Sequence, residues 1–240
     1  MTQFKHSHLG SSVIWWLNYI SSVGREYIFN ESSLKFPVTD HLERYFRENI
    51  KVEYEHPCLK NRKIDLYYFD KENTVENAIE FKFVMEDSTR DAAERKRIFN
   101  DLMRMYLFLD TNKRGYFLIC GNETDFKTSF KNLNLKPKFP VTPAKAGRPI
   151  ISNIDFYSEW FSFDEKAKDR TIDLSKQEPL YKTVYDSFKT DYNDSYRAAT
   201  NNDINMPASI KTSLLYLSDD STGNNIPQTM KIGIWEVLKV

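Results

Sequence analysis

The chain has 240 residues, and its 34 Lys and Arg residues balance 34 Asp and Glu residues. Its 40% hydrophobic and 15% aromatic content supplies enough apolar surface to offset the entropy cost of folding, which excludes a disordered chain. Cys58 and Cys120 are the two cysteines; with no CxxC spacing they exclude a disulfide framework or a thiolate metal cage and favour the cytosol. The apolar run at residues 13–20 is far shorter than the about 20 residues of a membrane span, so neither an anchor nor a signal peptide is expected.

The first half of the chain predicts an α/β core with a mixed sheet, because helices and strands follow in the order helix, strand, strand, strand, helix, strand. The predicted helices span residues 11–27, 31–47 and 88–109. The predicted strands span residues 51–55, 63–69, 77–84 and 115–120. The second and third strands flank a polar, turn-rich stretch, which indicates an antiparallel hairpin. The fourth lacks alternating polar residues and is expected to be fully buried.

The second half has weaker patterns. Predicted here are a helix over 123–133, a loop over 136–149, a helix around 181–192, and strands over 150–163, 213–217 and 231–239, the last two around a polar turn at 219–225. Four aromatic residues at helical spacing are expected to be core contacts rather than a base-stacking platform: Tyr181, Tyr185, Phe188 and Tyr192. We expect residues 1–135 to form the core and residues 136–240 a C-terminal extension with a β-hairpin, packed on the same core.

Two neighbouring strands carry the residues that point to chemistry. Strand alternation places Ile64 and Leu66 on one face and Asp65 on the other, and it places Glu80 and Lys82 together on the face opposite their apolar neighbours. If the strands pair, two carboxylates and an ammonium group converge. Asp65 and Glu80 then offer the hard oxygen ligands that Mg²⁺ prefers, and Lys82 can orient a water or offset charge in the transition state. This is what metal-assisted hydrolysis of a phosphodiester requires.

Asp65, the triplet Glu80-Phe81-Lys82 and the helix-strand order around them resemble the PD-(D/E)XK nuclease superfamily over roughly residues 31–120. The sequence departs from the family name in that Ile64 precedes the aspartate where the name has proline. The resemblance implies a restriction-endonuclease-like core with a central mixed sheet flanked by helices, Asp65 and Glu80 as metal ligands, and Lys82 as the catalytic lysine. It also implies a Mg²⁺-dependent DNA endonuclease, with Mn²⁺ as a substitute ion and no organic cofactor, of the restriction or genome-defence type. A homodimer is expected from the same resemblance, since cutting both strands of a duplex usually needs two active sites.

Many members of this superfamily carry an acidic residue on the helix before the first strand. Glu31 lies close to Val38 on the face that would meet the sheet, whereas Glu43 lies toward the edge of the apolar stripe. We therefore expect Glu31 to be the third catalytic and metal-binding carboxylate. The alternative is that Glu31 is an exposed residue at a helix start, where a negative charge suits the helix dipole.

A local excess of positive charge suggests a nucleic-acid partner. Residues 113–148 contain eight basic and two acidic residues, an excess that the neutral total conceals. The expected DNA contacts are Lys127, Lys131, Lys136, Lys138, Lys145 and Arg148. The run Arg95-Lys96-Arg97 lies on the polar side of the predicted helix at 88–109, and it is either a solvated face or a phosphate contact.

Three other interpretations of the strand carboxylates remain open at this point. The residues could form an ordinary solvated strand face, or they could belong to an inactive nuclease fold used for binding nucleic acid or protein. A small-molecule hydrolase has less support, because the chain has no nucleophile elbow and no Gly-rich phosphate loop.

Overall fold

The structure is a computed structural model, and it describes residues 4–70, 74–84, 92–122, 160–174, 179–218 and 230–240. Its helices are α1 (His6–Ser22), α2 (Glu31–Phe46), α3 (Ala92–Phe108) and α4 (Pro179–Thr200). Its strands are β1 (Ile50–Glu55), β2 (Lys63–Asp70), β3 (Val75–Val84), β4 (Lys113–Asn122), β5 (Asp169–Asp173), β6 (Ser209–Leu217) and β7 (Met230–Lys239). None of the helices within these residues is long and apolar enough to cross a membrane.

The seven strands form one mixed sheet in the order β1-β2-β3-β4-β7-β6-β5. Only the β3–β4 pair among them is parallel, and α3 provides the crossover that a parallel connection needs. All the other neighbouring pairs are antiparallel, including the predicted β2–β3 hairpin. The molecule is therefore an α/β protein whose three C-terminal strands continue the sheet of the first four.

Helices cover both faces of the sheet, and each face has its own apolar core. On one face α1 and α2 pack against alternate residues of the central strands, such as Phe81 and Leu118. On the other face α3 and α4 pack against the intervening residues, such as Phe117 and Ile119. β4 is consequently buried on both faces, which confirms the prediction made from its unbroken apolar run.

Helix α2 begins at a capping box that fixes the position of Glu31. The Asn30 side chain accepts a hydrogen bond from the Ser33 backbone N–H at 2.9 Å, and the Asn30 backbone N–H donates to Ser33 Oγ at 3.2 Å. Both contacts satisfy N–H groups that have no partner within the helix. Glu31 is thus held in the first turn of the helix, which runs through Pro37 as predicted.

Two predictions made from the sequence are wrong in their details. The first helix spans His6–Ser22 rather than residues 11–27, because the chain leaves helical geometry at Gly24, whose φ of 69° is left-handed. The predicted strand at 150–163 is wrong over its described residues, because Trp160 is helical and residues 161–163 are not in a strand. Phe161 packs against Phe117 and Trp235 instead, so its aromatic side chain belongs to the core.

The sequence patterns did not reveal β5, whose five residues include three charged side chains and a single buried apolar one, Ile172. Other predictions lie outside the described residues. These are the helix at 123–133, the loop at 136–149, the strand residues 150–159 and the polar turn at 219–225.

Candidate functional site

The β2 and β3 strands separate at the point where the predicted site residues lie. Their backbone pairing runs from Asp70 and Val75 to Leu66 and Ile79 and then ends. Beyond that point the Asp65 side chain continues the contact, because its Oδ2 accepts a hydrogen bond from the backbone N–H of Phe81 at 3.0 Å. The Asp65 carboxylate thus accepts a hydrogen bond that a backbone carbonyl would accept in a regular sheet.

The separation also disturbs strand alternation at Asp65. Ile64 belongs to the apolar core beneath α3, whereas Leu66 belongs to the core beneath α1 and α2. The prediction that Ile64 and Leu66 share a face is therefore wrong. A strand alternates strictly where regular backbone hydrogen bonds join it to both neighbouring strands. At Asp65, β2 has no such backbone pairing with β3.

Glu80 is buried at the edge of this gap, with 3% of its surface exposed. Burial raises its pKa well above the ordinary range; Asp101 and Asp65 add to the rise, and Arg104 opposes it. In its protonated form Glu80 hydrogen-bonds to Asp65. Glu80 therefore tends to keep a proton that an exposed carboxylate would release.

Lys82 lies between two carboxylates. Its Nζ is 2.9 Å from Glu31 Oε1 and 2.8 Å from Asp101 Oδ2, and only 6% of the residue surface is exposed. Burial by itself lowers the pKa of Lys82, but Asp101 and Glu31 outweigh it, so that the pKa is raised. The lysine is a fixed cation at neutral pH. The Glu31 pKa is also raised, because its burial outweighs the nearby Lys82.

Helix α3 contributes two charged residues that the sequence analysis did not single out. Arg104 Nη2 is 3.2 Å from Glu80 Oε1 and 2.5 Å from Asp101 Oδ1. Burial lowers the pKa of Arg104, yet Glu80 and Asp101 raise it by more, so the guanidinium remains charged. Asp101 therefore bridges Lys82 and Arg104, and it joins the strand residues to the helix.

Helix α2 reaches the same region from the opposite face of the sheet. Besides Glu31, it provides Lys35, whose Nζ lies 3.5 Å from Asp65 Oδ1 and also contacts Glu53 of β1. These contacts are possible because β2 and β3 are unpaired here. Asp65 is thereby fixed from two directions, by the Phe81 backbone and by Lys35.

The charged residues line a cavity of about 220 Å³. Its walls come from α2, β2, β3, α3 and α4, and its lining residues are Glu31, Asp65, Glu80, Lys82, Arg97, Asn100, Asp101, Arg104 and Tyr192. Two polar atoms in this lining are buried without a hydrogen-bond partner among the described residues, namely Asn100 Oδ1 and Arg104 Nε. Such orphaned atoms are uncommon, and an unseen water or ligand is one of the few explanations for them.

The structure separates the two candidates for the third carboxylate. Glu31 lines the cavity and contacts Lys82, whereas Glu43 is exposed on α2 and does not line it. Glu31 therefore contacts Lys82 at the cavity while 43% of its side chain stays exposed in the first turn of α2. Glu80 and Lys82 are too deeply buried to form an ordinary solvated strand face.

The remaining predicted residues are distributed differently. In the basic run of α3, Arg97 lines the cavity and Lys96 pairs with Asp191 of α4 at 2.7 Å. Phe188 and Tyr192 of α4 are buried and stacked on each other, as core contacts are. The side chains of Tyr181 and Tyr185 lie outside the described residues. So do all six residues predicted to contact DNA: Lys127, Lys131, Lys136, Lys138, Lys145 and Arg148.

In the parts of the chain that the structure describes, no three His, Cys, Asp or Glu side chains form a ready-made set of metal ligands. The carboxylates of the cavity are paired instead with Lys82 and Arg104. No protein-family model, curated protein or solved structure matches the chain. Function must therefore be argued from the cavity.

Proposed function

We propose that this protein is a Mg²⁺-dependent nuclease that hydrolyses DNA phosphodiester bonds on a restriction-endonuclease-like core. The observation that carries the proposal is the convergence of Asp65, Glu80 and Lys82 on one cavity where β2 and β3 separate. Buried carboxyl groups with perturbed pKa values beside a fixed cation are typical of functional sites.

The cavity lining offers oxygen donors of the kind that a divalent ion such as Mg²⁺ prefers. Asp65 and Glu80 would hold the ion through carboxylate oxygens, with Glu31 as the third carboxylate of the proposal. Asn100, whose amide oxygen is buried without a partner among the described residues, also belongs to the residues that line the cavity. Mg²⁺, or Mn²⁺ in its place, supplies a Lewis acid for the phosphate and acidifies a bound water.

The charge balance of the lining also suits a divalent ion and a phosphodiester. Four carboxyl groups and three cationic groups line the cavity, so the lining is neutral when Glu80 keeps its proton. A divalent ion that displaces this proton leaves one net positive charge. One phosphodiester anion then neutralises it.

Lys82 acts as a fixed positive charge in this proposal. Its raised pKa keeps it protonated, so it cannot accept a proton from water at neutral pH. It can offset the negative charge that develops on the phosphate in the transition state. Glu31 and Asp101 hold the ammonium group in position for that role.

A DNA cleavage assay with Mg²⁺ or Mn²⁺ tests the proposal. Asp65→Ala and Lys82→Ala should each lower the rate by roughly 10²-fold or more. Asp65→Asn refines the test, because an amide oxygen can still accept the hydrogen bond from Phe81 while the negative charge is gone. It should keep the fold and lose the activity.

Glu43→Gln is the matched control, since it removes an exposed carboxylate from α2 without altering the cavity. It should retain full activity. Equal cleavage by wild type, Asp65→Ala and Lys82→Ala would reject the nuclease proposal.

A second candidate function is a non-catalytic module that binds nucleic acid or protein. It is favoured by the pairing of the cavity carboxylates with Lys82 and Arg104 and by the lack of a ready-made ligand set in the described residues. This candidate predicts salt-sensitive binding that Mg²⁺ does not change and no stabilisation by the ion on heating. Divalent-ion uptake in calorimetry that Glu80→Gln abolishes would argue against it.

We place this activity in the cytosol, with DNA as the partner. Cys58 and Cys120 are both free thiols, as expected where thiols stay reduced. The proposed DNA contacts are the six basic residues between positions 127 and 148.

A further inference from the structure

The Arg104 guanidinium occupies the position of a counter-charge in the cavity. It contacts Glu80 and Asp101 through the same nitrogen, Nη2. A cation held there lowers the attraction of the carboxylates for any other cation, because like charges at contact distance repel each other strongly in a partly buried site. Arg104 and a divalent ion therefore compete for the negative charge that Asp101 carries and that Glu80 gains when it loses its proton.

Arg104 is also incompletely satisfied in this position. Its Nε–H, one of the five N–H donors of the guanidinium group, is buried without a hydrogen-bond partner among the described residues. One turn earlier on the same face of α3, the Asn100 amide oxygen is equally unpartnered, with only 9% of the residue exposed. A buried donor and a buried acceptor thus lie unpartnered, among the described residues, in two residues that line the cavity.

A phosphodiester supplies what Arg104 lacks. Its oxygens accept hydrogen bonds in the planar, paired geometry that a guanidinium offers, and charge-assisted bonds of this kind are stronger than neutral ones. A water molecule beside the phosphate can donate to Asn100 Oδ1. Both orphaned atoms would then be satisfied.

We propose that Arg104 is an exchangeable counter-charge, which pairs with Glu80 and Asp101 in the metal-free protein and with the substrate phosphate once a divalent ion has taken the carboxylates. Binding of the metal and of the phosphodiester is thereby cooperative. The metal releases Arg104 from the carboxylates, and the phosphate draws Arg104 away from the metal site. This inference rests on the proposed nuclease function and adds a coupling between its two ligands.

Arg104→Gln in the full chain tests the proposal through two binding measurements, in which the affinities for metal and for DNA should change in opposite directions. Calorimetry with Mn²⁺ in the absence of DNA should show binding at least tenfold tighter than in wild type, because the competing cation is gone. Anisotropy of a short DNA duplex with Ca²⁺, which takes the same oxygen ligands, should show binding at least tenfold weaker.

Two further variants separate charge from geometry. Arg104→Lys keeps the positive charge but not the planar fork, so its Mn²⁺ affinity should stay near that of wild type while DNA binding weakens. It also provides a readout if Arg104→Gln fails to fold. Lys96→Gln removes a partly exposed charge from the same helix and should change the Mn²⁺ affinity less than threefold.

The outcomes distinguish this inference from the function on which it rests. If wild type binds Mn²⁺ and Glu80→Gln does not, but Arg104→Gln binds it no more tightly than wild type, the counter-charge role is wrong and the metal site stands. Tighter Mn²⁺ binding with unchanged DNA binding would overturn the transfer to phosphate. No Mn²⁺ binding by either wild type or Arg104→Gln would overturn both proposals.

Discussion

His56 joins the β1–β2 connection to α3 through two hydrogen bonds that need a neutral ring. Its Nε2–H donates to the Arg104 carbonyl at 2.9 Å, and its Nδ1 accepts from the Cys58 backbone N–H at 3.1 Å. Burial is the main cause that lowers the His56 pKa to about 4. Protonation would remove the Nδ1 acceptor, so His56 makes folding sensitive to acid.

The pH dependence of unfolding measures this effect. Between about pH 6.5 and pH 4 an unfolded His56 takes up a proton and the folded one does not, so stability falls as the pH falls, by about 3 kcal/mol over the window. His56→Gln cannot titrate and should lose correspondingly less stability in urea unfolding over the same range. His8→Gln, at an exposed position on α1, should keep the wild-type slope. A His56→Gln slope equal to that of wild type would contradict the prediction.

Glu80 imposes a pH dependence above its unfolded-state pKa. Its folded-state pKa is raised, so its contribution to stability is present below the unfolded-state pKa and is lost as the pH rises through the folded one. While folded Glu80 keeps a proton that the unfolded chain has released, the loss is about 1.4 kcal/mol per pH unit. Glu80→Gln should therefore gain stability over wild type as the pH rises above the unfolded-state pKa. Glu43→Gln should show no such gain, and parallel curves for Glu80→Gln and wild type would refute the protonated state.

The sequence could predict the site residues on the strands but not those on α3. Asp65, Glu80 and Lys82 interrupt apolar strands, where a charge is conspicuous. Asp101 and Arg104 lie on an amphipathic helix that carries many charges, and most charged helix positions face solvent. Which of them meets a cavity depends on how the helix is rotated against the sheet, a tertiary property that helical periodicity does not contain.

At the scale of elements, α1 approaches the sheet closely because Gly10 has no side chain. A Cβ at this position would lie 2.2 Å from the Tyr216 ring of β6. Gly10→Ala should therefore destabilise the protein by about 1–3 kcal/mol, since the helix or the ring must move. The measurement is urea unfolding of Gly10→Ala, Tyr216→Leu and the double variant.

The double variant should recover most of the loss, because leucine leaves space for the new methyl group. A coupling energy near zero in this cycle would show that the two elements do not limit each other. Neither Gly10 nor Tyr216 lines the cavity, so Mn²⁺ binding should be the same in all three variants.

The elements that periodicity predicted well are those with one clear pattern. The β2–β3 hairpin has two apolar runs around a polar turn, α3 has helical spacing and β4 has an unbroken apolar run, and the structure has them within a few residues of the prediction. The aromatic run that ends at Phe163 looked like a strand because aromatic residues favour strands. It is aromatic because it fills the space over Trp235, and only the packing of distant segments reveals that.

At the scale of the whole molecule, a formal net charge of zero limits long-range attraction to DNA. Binding must then come from the local basic excess, and the salt dependence of DNA affinity measures it. Replacing Lys127, Lys131 and Lys136 together with glutamine should lower the slope of log K against log salt by about 3 for a duplex. Lys5→Gln, at an exposed position before α1, should leave the slope unchanged. An unchanged slope in the triple variant would place the DNA elsewhere on the protein.

The position of β7 makes the order of synthesis matter. The cavity residues lie between Glu31 and Arg104, apart from Tyr192, and therefore leave the ribosome early. β4 gains its second neighbour only when residues 230–239 have been made, because β7 inserts between β4 and β6. Until then the nascent chain holds nearly every charged group of the cavity beside an apolar central strand with an open edge, the kind of edge that pairs with other chains. A chain that stops short of Met230 would thus carry almost all the candidate catalytic residues beside an aggregation-prone sheet edge.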